Sequence, residues 1–176
     1  MIVRRATSDQ DFAEVARLMR AFVDWHYERH AGDRDIIDSY FDPAEFDREL
    51  RSLPGEFAAP RGTLLVAEKE GQVAGCVALR PLGKDGCEMK RMFVDSRFHG
   101  QGIGLLLGKA IVEAARMLGY RRMMLDTGPA QYEAQALYHR LGFRDVAPYY
   151  DLPPTLREWL VFMELDLVEQ GRSQSG

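Results

Sequence analysis

Cysteine is scarce, long apolar runs are missing, and positive charge is not in excess. The 176-residue chain has two cysteines, Cys76 and Cys87. That is too few for a disulfide framework or a thiolate metal cluster, so both read as reduced, buried thiols. No apolar run approaches the ~20 residues that span a bilayer, and no membrane partner is expected. The start, Met1-Ile2-Val3-Arg4-Arg5, leads into polar residues and lacks the apolar stretch of a secretory signal, so the expected location is the cytoplasm. Lys and Arg number 23 against 27 Asp and Glu, a net charge of −4. A nucleic-acid partner, which would want a basic face, is not expected. No repeat or low-complexity linker divides the chain, so 1–168 reads as one domain and 169–176 as a flexible tail. With 46% hydrophobic and 28% charged residues, the composition is that of a globular protein able to close its own core.

Periodicity supplies the elements. A short strand, Ile2 to Arg4, precedes a helix that either Thr7 with Gln10 or Ser8 with Asp11 could cap. Phe12, Val15, Met19, Phe22 and His26 recur there at helical spacing. Asp42-Pro43, with Glu45 completing the box, opens a second helix carrying Phe46, Leu50 and Leu53. Strands follow at Leu64 to Glu68 and Val73 to Leu79, joined through Lys69-Glu70-Gly71-Gln72 as a hairpin, and at Glu88 to Val94. A long helix over Ile103 to Leu118 ends at Gly119, and a strand spans Arg122 to Asp126. A helix opened by Pro129 and closed by Gly142 leads to strands at Phe143 to Ala147 and Trp159 to Leu167. The order β-α-α-β-β-β-α-β-α-β-β predicts an α/β fold around one mixed sheet.

Gly100-Gln101-Gly102-Ile103-Gly104, between a strand and an amphipathic helix, reads as a phosphate cradle. The first N–H groups of a helix have no internal partner and carry the positive end of its dipole. Two nucleotide readings fail on spacing. A P-loop needs Gly-x-x-x-x-Gly-Lys-Ser/Thr, whereas Gly102 to Gly108-Lys109-Ala110 has one residue too many and alanine for the hydroxyl. A dinucleotide fingerprint needs Gly-x-Gly-x-x-Gly in the first βα turn, and this turn is Gly-x-Gly-x-Gly after four strands.

The run Phe93-Val94-Asp95-Ser96-Arg97-Phe98-His99-Gly100-Gln101-Gly102-Ile103-Gly104 resembles the acetyl-CoA motif of the GCN5-related N-acetyltransferases, the GNAT superfamily. Ala134 to Phe143, a helix with a tyrosine ending in Leu-Gly-Phe, resembles the family's second signature, at the usual separation. The likeness covers about residues 60 to 168. It implies a single-domain GNAT fold, a mixed sheet of about seven strands flanked by about four helices, with acetyl-CoA as cosubstrate. It also implies that main-chain groups of Met92, Phe93 and Val94 pair with the pantetheine arm. The N–H groups of Gln101, Gly102, Ile103 and Gly104 would hold the pyrophosphate, with His99, Gly100 and Gln131 in the same cofactor site. His99 stands where the family usually has Arg or Gln, and Gln131 where many members have Asn. A histidine can still donate to a phosphate.

Acyl transfer to an amine needs a neutral amine, a polarised carbonyl, aligned reactants and a proton for the departing thiolate. Tyr138 matches the family's general acid, since a phenol is protonated at neutral pH. By spacing alone it reads first as a core tyrosine packing between Ala134 and Leu141, and the resemblance reverses that preference. Glu88 occupies a register where some members carry a catalytic glutamate, and a structural ion pair or an exposed strand end is the alternative. The acceptor pocket is expected to draw on Trp25, His26, Tyr27, Arg29 and Tyr40 from the first helices, with Tyr149 between the last strands. Arg80, Lys90 and Arg91 point to an acceptor bearing a carboxylate, such as an amino acid. His26 and His30 sit four apart, but without the His-Glu-x-x-His pattern or a third ligand no metal is expected. The leading reading is an N-acetyltransferase of a small-molecule amine. A non-catalytic acyl-CoA-binding sensor and a protein lysine or N-terminal acetyltransferase are the alternatives. The family often pairs through its last strands, so a homodimer is a further expectation.

Overall fold

In the computed structural model, which describes residues 1–168, Ser8 decides where the first helix starts. Its hydroxyl accepts from the Asp11 N–H at 3.1 Å, and the Asp11 carboxylate accepts from the N–H of Thr7 at 2.9 Å and of Ser8 at 3.2 Å. This reciprocal cap is the Ser8–Asp11 alternative, and it opens α1 (Asp9–Arg29). Arg4 on the first strand, β1 (Ile2–Arg5), donates to both Asp11 oxygens at 2.8 and 3.0 Å and ties strand to helix.

After a short α2 (Arg34–Tyr40), Asp42 accepts from the N–H groups of Ala44 and Glu45 and starts α3 (Pro43–Arg51) as expected. β2 (Thr63–Lys69) and β3 (Gln72–Leu82) form the predicted hairpin. Its two loop residues, Glu70 at φ 52° and Gly71 at φ 76°, both take the positive φ that matches the twist of paired strands. Next come β4 (Gly86–Val94), α4 (Ile103–Met117), β5 (Arg122–Thr127), α5 (Tyr132–Arg140), β6 (Arg144–Val146), α6 (Pro154–Trp159) and β7 (Val161–Asp166).

The seven strands lie in the order β1-β2-β3-β4-β5-β7-β6. Among the described strands only β4 and β5 run parallel, and they pair over three residues each, Gly86–Glu88 with Arg122–Met124. Beyond Glu88 the strands part, leaving the main chain of Met89 to Val94 unpaired on its β5 side. One face of the sheet packs Leu65, Val77, Met89 and Leu125 against Ile103, Leu107 and Ile111 of α4 and Tyr138 of α5. The other packs Leu64, Val66, Cys76 and Ala78 against Val15, Leu18 and Met19 of α1 and Leu50 of α3. Both cysteines are unpaired and buried, and burial pushes each thiol up to about 12.

Sequence and structure differ at three places. Two helices, α2 and α6, join the four expected, because seven and six residues are too short to display a helical period. The helix expected to open at Pro129 begins at Tyr132, since Pro129 lies in the turn before it. Trp159 ends α6 instead of starting the last strand. The expected tail, 169–176, lies outside the described residues.

Asp11→Ala should lower the unfolding free energy by about 1–2 kcal/mol, the size of a lost cap. The hydrogen bond from Arg4 holds the Asp11 carboxyl well below its ordinary value of 3.8, outweighing burial, with the Thr7 and Ser8 N–H groups adding to it. A depressed folded-state value means that the stabilisation is complete above the unfolded-state value and is lost as pH falls through the folded one. Urea denaturation should therefore give the same gap between wild type and variant at neutral and mildly acidic pH. The gap should narrow progressively below about pH 4, and a gap undiminished at pH 2 would rule the carboxylate out as its source.

Candidate active site

The parted strands open a two-part cleft. Its outer groove runs between β4 and the start of α5, lined by Met92, Phe93, Val94 and His99 to Gly104, and roofed by Phe22, Trp25 and Arg29 of α1. Gly100 and Gly102 have φ of 74° and 76°, the left-handed region that only glycine adopts without strain. Gly102 caps α4 with no side-chain hydrogen bond. The N–H groups of Ile103, Gly104 and Leu105 thus begin the helix without intrahelical partners. A Cβ on Gly100 or Gly102 would meet nothing within 4 Å, so the cradle faces open space. His99 closes the turn onto its strand, its Nε2–H donating to the Val94 carbonyl at 2.9 Å.

The inner cleft adjoins the groove at Phe22, Met92 and Gln131. Tyr138 reaches it from α5, and its residue is 6% exposed. No hydrogen bond to its hydroxyl is formed among the described residues, and burial, with Asp126 nearby, pushes the phenol above its ordinary range. At neutral pH it carries its proton.

Asp126, at the end of β5, organises the opposite wall. Its carboxylate accepts from Tyr40 at 2.5 Å and Tyr150 at 2.6 Å and lies 3.6 Å from the Lys90 ammonium, which donates to Tyr40 at 2.8 Å. Burial alone would raise the Asp126 carboxyl, but Lys90, the two phenols and Arg91 hold it below the usual carboxylate range. Tyr40 and Tyr150 are pushed up, by burial first and then by Asp126. His26 lines the cleft as a neutral ring, lowered to about 3 by burial and by His30 and Arg91.

A bulge puts Arg91 here. Cys76 of β3 pairs with Phe93 and Ala78 with Lys90, so Arg91 and Met92 together oppose Val77. Arg91 takes the extra position with φ 57°, an unusual angle for a bulky residue. Lys90 and Arg91 consequently both point toward α2 and α3, where regular pleating would send Arg91 to the α4 side. The guanidinium lies over Phe41 at 5.2 Å and Phe46 at 5.5 Å, and donates to both oxygens of Glu49 at 2.9 and 2.8 Å.

Several expected site residues lie elsewhere. Glu88 is 1% exposed and does not line the cleft. Arg80, directly across in register, donates to its Oε1 at 2.7 Å, and Tyr149 to its Oε2 at 2.5 Å. Arg80 also donates to Glu56 at 2.6 Å, so Arg80, Glu88 and Tyr149 form a closed ionic chain beside the cleft. Tyr27 donates to Asp38 away from the cleft. Trp25 lines the outer groove and not the acceptor side. Gln131 borders both spaces, but its Oε1 accepts from Thr127 at 2.8 Å and the Gly128 N–H at 2.5 Å, bracing the turn before α5. Asp126, Phe41 and Trp159 line the cleft and were not singled out from the sequence. For Asp126 a signal existed: a carboxylate closing an apolar parallel strand, where α/β folds place their ligands.

The sequence profile described as "Acetyltransferase (GNAT) family" matches residues 30–143. An uncharacterized N-acetyltransferase of Schizosaccharomyces pombe is 40% identical over 124 residues, covering 69% of this chain and 74% of that protein. N-acetylaspartate synthetase of Danio rerio is 35% identical over 133 residues, covering 73% of this chain but 47% of the synthetase. A solved aminoglycoside 6′-N-acetyltransferase complexed with coenzyme A shares the fold, with TM-score 0.68, 14% identity and coverage of 96% of this chain and 98% of that one.

Asp126→Ala would strand the Lys90 ammonium, whose side chain is 9% exposed. The unfolding free energy should fall by about 3–5 kcal/mol, as for other broken buried pairs. Adding Lys90→Met to that variant should recover part of the loss in urea denaturation. Strictly additive losses would mean that the two residues do not act as a pair.

Proposed function

The chain belongs to the GNAT acetyltransferase family and is an N-acetyltransferase, and from there we propose that it moves the acetyl group of acetyl-CoA to the primary amine of a small molecule, with Tyr138 as general acid. The observation that carries this reading is a buried, protonated phenol in the wall of the inner cleft, which itself adjoins the groove. The residues present suit acetyl-CoA. The open space before Gly100 and Gly102 leaves room for a diphosphate against the unpaired N–H groups of α4, and the free edge of β4 at Met92 to Val94 suits the amides of a pantetheine arm.

In the proposed reaction the acceptor nitrogen gives one proton to water and attacks the thioester carbon. The C–N bond forms, the C–S bond breaks, and the sulfur takes the Tyr138 proton. The second proton lost by the nitrogen restores the phenol, so the sum is amide, free thiol and one released proton. Glu88 takes no part in this scheme, because Arg80 and Tyr149 hold its two oxygens outside the cleft. The acceptor is a carboxylate-bearing amine, supported by the likeness to a synthetase of N-acetylaspartate.

Tyr138→Phe should cut kcat for thiol release about 10²-fold or more, the usual worth of general acid catalysis, while calorimetry gives an unchanged Kd for acetyl-CoA. Undiminished kcat with the best amine would exclude the phenol as the acid. Binding of acetyl-CoA with no turnover on any amine would favour the sensor reading instead. Gly102→Val should weaken acetyl-CoA binding at least about 10-fold, because a branched side chain is strained at φ 76° and stands in the cradle. Unaltered affinity would place the diphosphate elsewhere.

A further inference from the structure

Arg4, Arg17 and Arg80 are each held by two carboxylates, whereas Arg91 is held by one, as the exposed Arg97 is, but in the wall of the inner cleft. Arg4 gives Nε to Glu68 and both terminal nitrogens to Asp11. Arg80 gives Nε and Nη2 to Glu88 and Nη1 to Glu56. Each spans two carboxylates. Arg91 gives Nε and Nη2 to Glu49, and its Nη1 has no partner among the described residues. Arg91 lines the inner cleft, with its side chain 11% exposed. The backbone accepts a positive φ at a bulge to turn this side chain onto the acceptor face. Such strain persists only where the surroundings enforce it, and it gathers at ligand sites.

Charge balance narrows what could complete the set. Lys90 is matched by Asp126 and bonded to Tyr40, and Arg80 lies outside the cleft between two glutamates. The cleft therefore has one unused guanidinium donor, on Arg91, and one carboxylate, Asp126, which an ammonium would share with Lys90. Those two groups complement a zwitterion, in which carboxylate and ammonium sit on the same carbon. Phe22, Ile37, Phe41, Trp159 and Leu160 make most of the remaining wall, and its polar members, His26, Thr127 and Gln131, are uncharged, so among the described residues there is no second free cation for another acid group.

We propose that the acceptor is an α-amino acid with an apolar or aromatic side chain, its carboxylate on Nη1 of Arg91 and its amino group toward Asp126. This rests on the acetyl-transfer reading and names the substrate class of that site. Arg91 is a specificity residue here, and Glu49, Phe41 and Phe46 position it.

The test is thiol release from acetyl-CoA with the twenty L-amino acids, 2-phenylethylamine and 3-methylbutylamine, the last two being phenylalanine and leucine without their carboxylates. In the wild type, kcat/KM for phenylalanine or leucine should exceed that for the matching amine on the order of 100-fold, the worth of one charged hydrogen bond. Both should exceed aspartate by at least about 10-fold. Arg91→Met combined with Glu49→Gln, which leaves no buried lone charge, should bring the ratio of amino acid to matching amine to within about threefold of one. Equal use of amine and amino acid by the wild type overturns the proposal and leaves acetyl transfer standing. So does an unchanged ratio in the double variant, or aspartate as the best acceptor. No thiol release with any compound, while acetyl-CoA binds, overturns the acetyl-transfer reading and this one with it. If the double variant fails to fold, the wild-type ratios decide alone.

Discussion

Two parallel strands that stop pairing after three residues are the constraint on which everything else here depends. Had β4 and β5 stayed together past Glu88 and Met124, the sheet would be continuous and its centre closed. Their divergence exposes main-chain donors and acceptors on β4 that a buried strand cannot ordinarily leave unmet. It also opens the space into which Tyr138, Asp126 and Arg91 look. The glycine cradle starts α4 at the mouth of the same gap, so both halves of the cleft have a single architectural cause.

Around that opening the charges are arranged so that almost none is free. Glu88 sits between Arg80 and Tyr149, Asp126 among Lys90, Tyr40 and Tyr150, and Glu49 under Arg91. Buried ions need such partners, and each pair contributes less to stability than to fixing where its members point. The bulge at Arg91 acts in the same way. It gives up regular pairing at one position of β4 and brings two neighbouring cations onto one face.

Much of this could be read in the residues, and the remainder had physical reasons for staying hidden. The hairpin at Glu70-Gly71, the cap at Asp42-Pro43 and the glycine turn announce themselves through short-range conformational demands, which sequence carries directly. Tyr138 was legible through its place in a second signature. Glu88 was recognised as a carboxylate needing a reason, but the reason was Arg80 on the neighbouring strand, and strand register is not written in either residue. Arg91 at positive φ has no local signal, since glycine or asparagine would be the residue to look for there. The role of Trp159 depends on α6, one and a half turns long, which brings its indole to donate to Asp33 at 2.9 Å from the far end of the chain.

The end of α1 has a consequence of a different kind. Arg29 reaches over the groove to the Ala130 carbonyl at 2.8 Å and to Glu133, and the Ala130 N–H donates to His30 at 3.3 Å. With three paired residues on each strand, the β1–β4 and β5–β7 halves of the molecule are also held across the opening by side chains. This bridge does so together with the hydrogen bonds of Tyr40 to Asp126, Tyr149 to Glu88 and Trp159 to Asp33. A ligand lying between the halves adds rungs to a ladder that the chain leaves unfinished. Its affinity and the cohesion of the two halves then draw on one free energy, so occupancy of the groove and resistance to unfolding rise and fall together.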